Sequence, residues 1–145
     1  FLTEEEKKQI NSVLEELELS DRKNVFVEKL SSGELQKANI AMALISGADC
    51  LMLDEPTSNM DLVNQIKILN LVKNLTKRGI TVVIVLHDLN LSASYGDFFV
   101  GINSQKKLVC KEKNAFFTES NLENIFGIKF RVIKDDEKFH IQIFN

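Results

Sequence analysis

Two apolar runs that end in polar residues decide the fold, Cys50-Leu51-Met52-Leu53-Asp54-Glu55-Pro56 and Ile80-Thr81-Val82-Val83-Ile84-Val85-Leu86-His87-Asp88. Neither run alternates between apolar and polar residues before its end, which is typical of strands covered on both faces. Between them, Asp61 to Lys77 has helical periodicity and is followed by a terminating glycine, Gly79. A strand, a helix and a strand joined by short connections form a parallel βαβ unit with a right-handed crossover. The sequence therefore predicts an α/β fold built on a parallel sheet.

The rest of the chain surrounds this unit with further predicted helices and strands. Thr3 and Glu6 have the spacing of a capping box, at the start of a helix predicted over residues 3–18. Other helices are predicted from Gly33 to Gly47, near 89–95 and over 119–126, with strands at 98–102, 107–111, 129–133 and 138–144. The last two strands form a closing hairpin. We expect one compact α/β unit with a helical piece in front.

Composition excludes several classes of protein. With 145 residues and 44% hydrophobic content, the chain is long and apolar enough for a folded core rather than a disordered tail. A net charge of −3 argues against general phosphate attraction, and so against nucleic acid as a partner. The two cysteines, Cys50 and Cys110, are isolated in sequence, so we expect reduced, packed thiols rather than a metal site or a disulfide.

The ends of the two predicted strands carry the first candidate site. Because parallel strands end at one edge of a sheet, and ligands bind outside that edge, Asp54, Glu55 and His87 should come close together. One carboxylate can hold hydrated Mg²⁺, and the other can orient or deprotonate an attacking water. The alternative is that Asp54-Glu55-Pro56 only caps a strand and that His87 is a structural histidine.

The second candidate site is Ser31-Ser32-Gly33-Glu34, directly before an apolar helix. Unpaired backbone N–H groups and the helix dipole favour phosphate at such a position without a basic patch. The alternative is an ordinary serine N-cap.

In combination, these segments resemble the ATP-binding cassette (ABC) ATPases. Leu30–Glu34 is similar to the signature motif of that family, Leu51–Asp54 to its Walker B strand followed by the catalytic Glu55, Ser58–Asp61 to its D-loop, and His87 to its switch histidine. The order and spacing of these elements match over about residues 25–90. The resemblance implies a P-loop NTPase (RecA-like) core, with ATP as ligand and Mg²⁺ as cofactor.

The resemblance also implies a role for each matched residue. Asp54 would help to hold Mg²⁺, and Glu55 would polarise the nucleophilic water in ATP hydrolysis. His87 would contact the γ-phosphate, and Asp61 would couple two copies of the subunit. Ser31, Ser32 and Gly33 would reach ATP bound mainly by the other copy. Ser32 replaces the usual glycine and Glu34 the commonest glutamine, and a glutamate there repels phosphate unless it points away.

The phosphate-binding motif G-x-x-x-x-G-K-[ST] is missing from the sequence, as is the glutamine loop of the family. Both lie upstream of the signature motif in ABC ATPases. We therefore expect the C-terminal part of a longer subunit, with residues 1–32 ending the helical subdomain and 33–145 belonging to an incomplete ATPase core. Alone, this chain should bind MgATP weakly, not turn it over, and self-associate through exposed strand edges.

Beyond His87, His87-Asp88-Leu89-Asn90-Leu91 and the closing hairpin resemble importer ATPases for iron–siderophore, haem or cobalamin uptake. Such a subunit works as a homodimer beneath transmembrane permease subunits, bound peripherally to the cytoplasmic face of the membrane. The alternatives are a soluble ABC ATPase of a DNA-repair, chromosome or ribosome machine, and a non-catalytic interaction domain.

Overall fold

The computed structural model describes residues 2–58 and 60–144. The chain divides into two compact units, of which the first runs to Val85 and the second begins at Leu86. The expectation of one compact unit is therefore wrong. The predicted boundary between helical subdomain and ATPase core, at residues 32 and 33, is not tested by this division and stays a prediction.

The first unit contains three helices and two strands among its described residues. They are α1 (Glu4–Glu16), α2 (Ser32–Ile45), β1 (Cys50–Asp54), α3 (Leu62–Lys77) and β2 (Thr81–Val85), with short 3₁₀ turns at Ser20–Arg22 and Val27–Lys29. The Thr3–Glu6 capping box that begins α1 is present as predicted. β1 and β2 are parallel, with Cys50 opposite Thr81 and Asp54 opposite Val85, which confirms the βαβ unit.

The core of the first unit lies on one side of this two-stranded sheet. Residues of α2, α3, β1 and the segment directly after α1 form it: Leu17, Leu19, Ile40, Ala41, Leu51, Ile68, Val72 and Leu75. The opposite face of the sheet is open, since Leu51 is 4% exposed whereas its neighbour Met52 is 81% exposed. The prediction that both faces of the strands are covered is therefore wrong for the described residues.

The second unit contains three helices and two antiparallel hairpins among its described residues. They are α4 (Leu89–Tyr95), β3 (Phe98–Ile102), β4 (Leu108–Glu112), α5 (Lys113–Phe116), α6 (Glu119–Phe126), β5 (Phe130–Asp135) and β6 (Lys138–Ile143). β3 pairs with β4, and β5 pairs with β6 in the predicted closing hairpin. Phe99, Phe116 and Phe117 pack against one another in its core, two of the three pairs edge to face, with ring centroids 4.6–5.3 Å apart.

The two cysteines lie at the surface. Cys50 and Cys110 are both free, as predicted, but both are exposed, so the expectation of packed thiols is wrong. Over residues 2–58 and 60–144, the structure has no helix with the length and apolar character needed to cross a bilayer.

Candidate functional site

The carboxyl end of β1 places two acidic residues in different backbone conformations. Asp54 is the last residue of the strand and is exposed, and Glu55 follows it half-buried in a left-handed conformation with φ of 45°. A non-glycine residue in this region costs about 1–3 kcal/mol and persists only where its surroundings enforce it. The backbone carbonyl of Glu55 accepts hydrogen bonds from the N–H and the hydroxyl of Ser58, at 3.0 and 2.9 Å, which hold the turn. The turn therefore holds the backbone of Glu55 in a conformation different from that of Asp54 in the strand.

The acidic pair can be tested for its fit to a metal ion. Over the described ranges, the structure contains no group of three or more His, Cys, Asp or Glu side chains that could enclose a metal. Mg²⁺ does not require such a cage, since it is commonly held by one or two carboxylates together with water and phosphate oxygens. The exposed Asp54 therefore fits Mg²⁺ that arrives with a nucleotide.

Asp61 starts α3 as its N-cap. Its carboxylate accepts from the N–H of Asn64 at 3.0 Å and from the Asn64 side-chain amide at 2.7 Å. These hydrogen bonds, the backbone one first, lower the pKa of Asp61. Asp61 is thus an ionised, fixed group at the end of the segment that resembles the D-loop. Asn59, in the same segment, lies outside the described residues.

The start of α2 combines an N-cap with open space. Ser31 is the N-cap, and its hydroxyl accepts from the N–H of Glu34 at 3.3 Å. The next two N–H groups, of Ser32 and Gly33, belong to the first turn and have no carbonyl of their own helix to bond. A Cβ built on Gly33 would meet nothing within 4 Å, so the approach to this turn is open. The serine cap and an anion-binding turn are therefore compatible here.

Glu34 points back toward the cap. Its carboxylate accepts from the N–H and the hydroxyl of Ser31, both at 2.9 Å, and from Nε of Arg22 at 2.6 Å. The Arg22 side chain first, and then the two Ser31 donors, lower the pKa of Glu34 to about 2. The charge of Glu34 is thus paired with the guanidinium of Arg22, and its carboxylate lies at the cap rather than pointing away from it.

Sequence reasoning did not identify Arg22. It lies 12 residues before Glu34 in a polar connection, where no periodicity relates the two. The capping box itself could have been found, because Ser31 and Glu34 have the same S/T-x-x-E spacing as Thr3 and Glu6.

His87 is exposed and belongs to the second unit. It directly precedes Asp88, the N-cap of α4, whose carboxylate accepts from the N–H groups of Asn90 and Leu91 at 2.8 and 2.9 Å. The two strands of the first unit end at one edge, as predicted, with Asp54 opposite Val85. Asp54 and Glu55 belong to the first unit and His87 to the second, so the expected proximity of His87 to the two carboxylates stays a prediction.

Comparison with protein families and curated sequences agrees with these motifs. A model of the ABC transporter family matches residues 2–58. The petrobactin import ATP-binding protein of Bacillus subtilis is 34% identical over 128 residues, which are 88% of this chain and 51% of that protein. The iron(3+)-hydroxamate import ATP-binding protein of the same organism is 36% identical over 137 residues, 92% of this chain and 50% of that protein. The chain thus spans about half the length of the curated relatives that it matches.

Solved structures extend the similarity to the fold. An ABC transporter assigned to the metal-chelate type, in an inward-facing conformation, superposes with a TM-score of 0.84 at 25% identity. The match covers 99% of this chain and 58% of that one. A second structure, a component of an ABC transporter complex from Clostridium perfringens, gives a TM-score of 0.70 at 25% identity over 84% of this chain and 49% of that one.

Proposed function

This chain belongs to the family of ATP-binding cassette ATPases, and from that membership we propose that it forms part of an ATP-hydrolysing subunit that powers import of an iron chelate or haem. One observation carries the proposal: the similarity to siderophore-import ATP-binding proteins extends over about nine-tenths of the chain, through the second unit as well as the first. A haem-import relative from Photobacterium damselae, 39% identical over 79% of this chain and 45% of its own length, supports the same class of cargo.

In this proposal the start of α2 binds the phosphates of ATP that is held mainly by a second copy of the subunit. The N–H groups of Ser32 and Gly33 face the anion, and the helix dipole favours its negative charge. The hydroxyl of Ser31 would add a third donor once it is released from the Glu34 carboxylate. The positive charge of Arg22 stays paired with the Glu34 carboxylate, so that the negative charge of Glu34 is balanced at the binding turn.

The end of β1 supplies the hydrolytic chemistry. Asp54 would hold Mg²⁺, which neutralises charge on the phosphate oxygens when it is bound with ATP. Glu55 accepts a proton from the attacking water and orients it in line with the bond to the leaving phosphate oxygen. The half-buried position and left-handed backbone of Glu55 support this role, because they set this residue apart from the exposed Asp54 at the end of the strand.

His87 and Asp61 complete the proposed site. His87 would contact the γ-phosphate, and Asp61, fixed by Asn64 at the start of α3, would lie at the contact between two copies of the subunit. Transmembrane permease subunits would be the other partners. The protein would then act at the cytoplasmic face of the membrane, without nucleic acid.

The proposal is tested on the native protein purified from its own cells, because this chain lacks the phosphate-binding motif. We expect permease subunits to co-purify and MgATP to be hydrolysed. Glu55→Gln should lower turnover by about 10²- to 10⁴-fold, the usual contribution of a general base. Glu137→Gln, which makes the same change at an exposed residue of the closing hairpin, should not alter it.

Other outcomes would contradict the proposal. Nucleic acid or ribosomes in the purified sample would favour a soluble ABC machine. A native mass of 16.5 kDa without hydrolysis or a partner would favour a non-catalytic interaction domain.

A further inference from the structure

The closing hairpin is held at one edge by a side chain of α4. The Asn90 side-chain oxygen accepts from the N–H of Ile141 at 2.8 Å, and the Asn90 amide nitrogen donates to the Ile141 carbonyl at 3.2 Å. These two bonds join residues 51 positions apart in the chain. Asn90 thus occupies the place that a neighbouring strand would take beside β6.

The other edge of the hairpin is held at the same pair of residues. Val132 lies opposite Ile141, and its N–H donates to the Glu119 carboxylate of α6 at 3.1 Å. Because both N–H groups of this pair point outward to side chains, the hairpin is fixed between α4 and α6. Ile141 is buried in the core of the second unit, so this attachment is anchored in packed structure.

Asn90 and Asp88 connect the hairpin to His87. The backbone N–H of Asn90 donates to the Asp88 carboxylate, which caps α4, and His87 directly precedes Asp88. A displacement of Asn90 would therefore be transmitted to the cap and to the backbone of His87.

We infer that Asn90 is a positioning residue, which sets the placement of His87 by tying the start of α4 to the closing hairpin. The function of this tie rests on the proposed contact of His87 with the γ-phosphate. It also connects two segments that appear separately in the sequence, the His-Asp-Leu-Asn-Leu stretch and the C-terminal hairpin. The hairpin is then part of the catalytic apparatus through its backbone at Ile141.

The first test measures the tie in this chain. Asn90→Ala should reduce the hydrogen-exchange protection of the Ile141 amide by about tenfold, as expected for loss of one ordinary hydrogen bond. Since the chain has only two histidines, the imidazole NMR signals can be assigned with a His140→Gln variant. The His87 signal should shift and sharpen in Asn90→Ala. Gln105→Ala, an exposed change in the turn between β3 and β4 of the same unit, should leave the protection of Ile141 and the His87 signal as they are.

The second test measures the consequence in the native ATPase. Asn90→Ala should lower kcat by about 10- to 100-fold, the range seen when a reacting group is slightly misplaced, with KM for MgATP changed less than about twofold. Asn90→Asp keeps an acceptor for the Ile141 N–H but loses the donor to its carbonyl. The kcat of Asn90→Asp should fall between those of the wild type and Asn90→Ala. If Asn90→Ala does not fold, Asn90→Asp is the variant that tests the positioning role.

The two proposals fail differently. If the wild-type protein does not hydrolyse ATP, the proposed function fails, while the NMR measurement still tests the tie. If it hydrolyses ATP, and the Asn90 variants lose Ile141 protection but keep kcat and the His87 signal, the positioning role is overturned.

Discussion

At the level of single residues, Glu34 connects charge, helix capping and the proposed phosphate site. Its carboxylate takes three donors, from Arg22 and from the N–H and hydroxyl of Ser31. The hydroxyl of Ser31 donates to this carboxylate and also accepts from the N–H of Glu34. Phosphate that needs the Ser31 hydroxyl must therefore compete with Glu34, and Arg22 stabilises the carboxylate when that hydroxyl leaves.

The same contacts predict a pH dependence of stability. The pKa of Glu34 falls from 4.5 to about 2 on folding, mainly through Arg22. Its contribution is therefore fully present above pH 4.5 and is lost as the pH falls toward 2. Glu34→Gln should be less stable than the wild type at pH 7, and the difference should shrink as the pH falls through this window. Urea unfolding followed by circular dichroism over a pH series measures the difference.

Two observations separate this effect from the general loss of stability in acid. For Glu137→Gln, the difference from the wild type in the free energy of unfolding should stay the same at every pH in this range. A difference between Glu34→Gln and the wild type that stays constant from neutral pH to pH 2 would contradict the role given to the Arg22 contact.

At the level of secondary-structure elements, adjacent residues of β1 have opposite environments. Leu51 packs in the core of the first unit, whereas Met52 points to the open face of the sheet. Leu51→Ala should destabilise the first unit by about 2–5 kcal/mol, as large-to-small changes in packed cores do. Met52→Ala should change the free energy of unfolding by less than about 0.5 kcal/mol. Chemical denaturation of the two variants tests this, and equal losses would show that the open face is covered in solution.

The sequence predicts the elements better than it predicts their coverage. The β1–α3–β2 unit, the first capping box and the closing hairpin follow from local patterns of apolar and capping residues. The exposure of Met52 does not, because an unbroken apolar run has the same letters whether one face or both are covered. Of the candidate site, Ser31, Asp54 and Asp61 could be located at their helix and strand ends from the sequence. Arg22 and Asn90 could not, since their partners are brought to them only by folding.

At the scale of the whole molecule, the two units have separate hydrophobic cores. Leu75 is fully buried in the first core, and Leu122 is fully buried in the second. Each mutation to alanine should lower the stability of its own unit by about 2–5 kcal/mol and leave the other unit nearly unchanged. Tyr95, the only tyrosine in a chain without tryptophan, reports on the second unit by fluorescence. Leu122→Ala should shift the tyrosine transition in urea, and Leu75→Ala should shift only the circular dichroism. One coincident transition that both variants move would show that the units unfold together.

The second unit also presents an apolar sheet face that bears on association. Phe98, Val100, Ile102 and Leu108 are each 64–71% exposed on one face of the β3–β4 hairpin. An exposed apolar strand surface of this kind promotes association between chains, because contact removes the surface from water.

We therefore expect sedimentation velocity to show self-association that grows with concentration. Ile102→Lys with Leu108→Glu, which places opposite charges across the two strands, should reduce it, whereas Ser104→Glu with Gln105→Lys in the adjacent turn should not. A reducing agent is needed throughout, since Cys50 and Cys110 are exposed and could link chains covalently. A wild-type chain that stays monomeric at all concentrations would show that this face is too small to drive association.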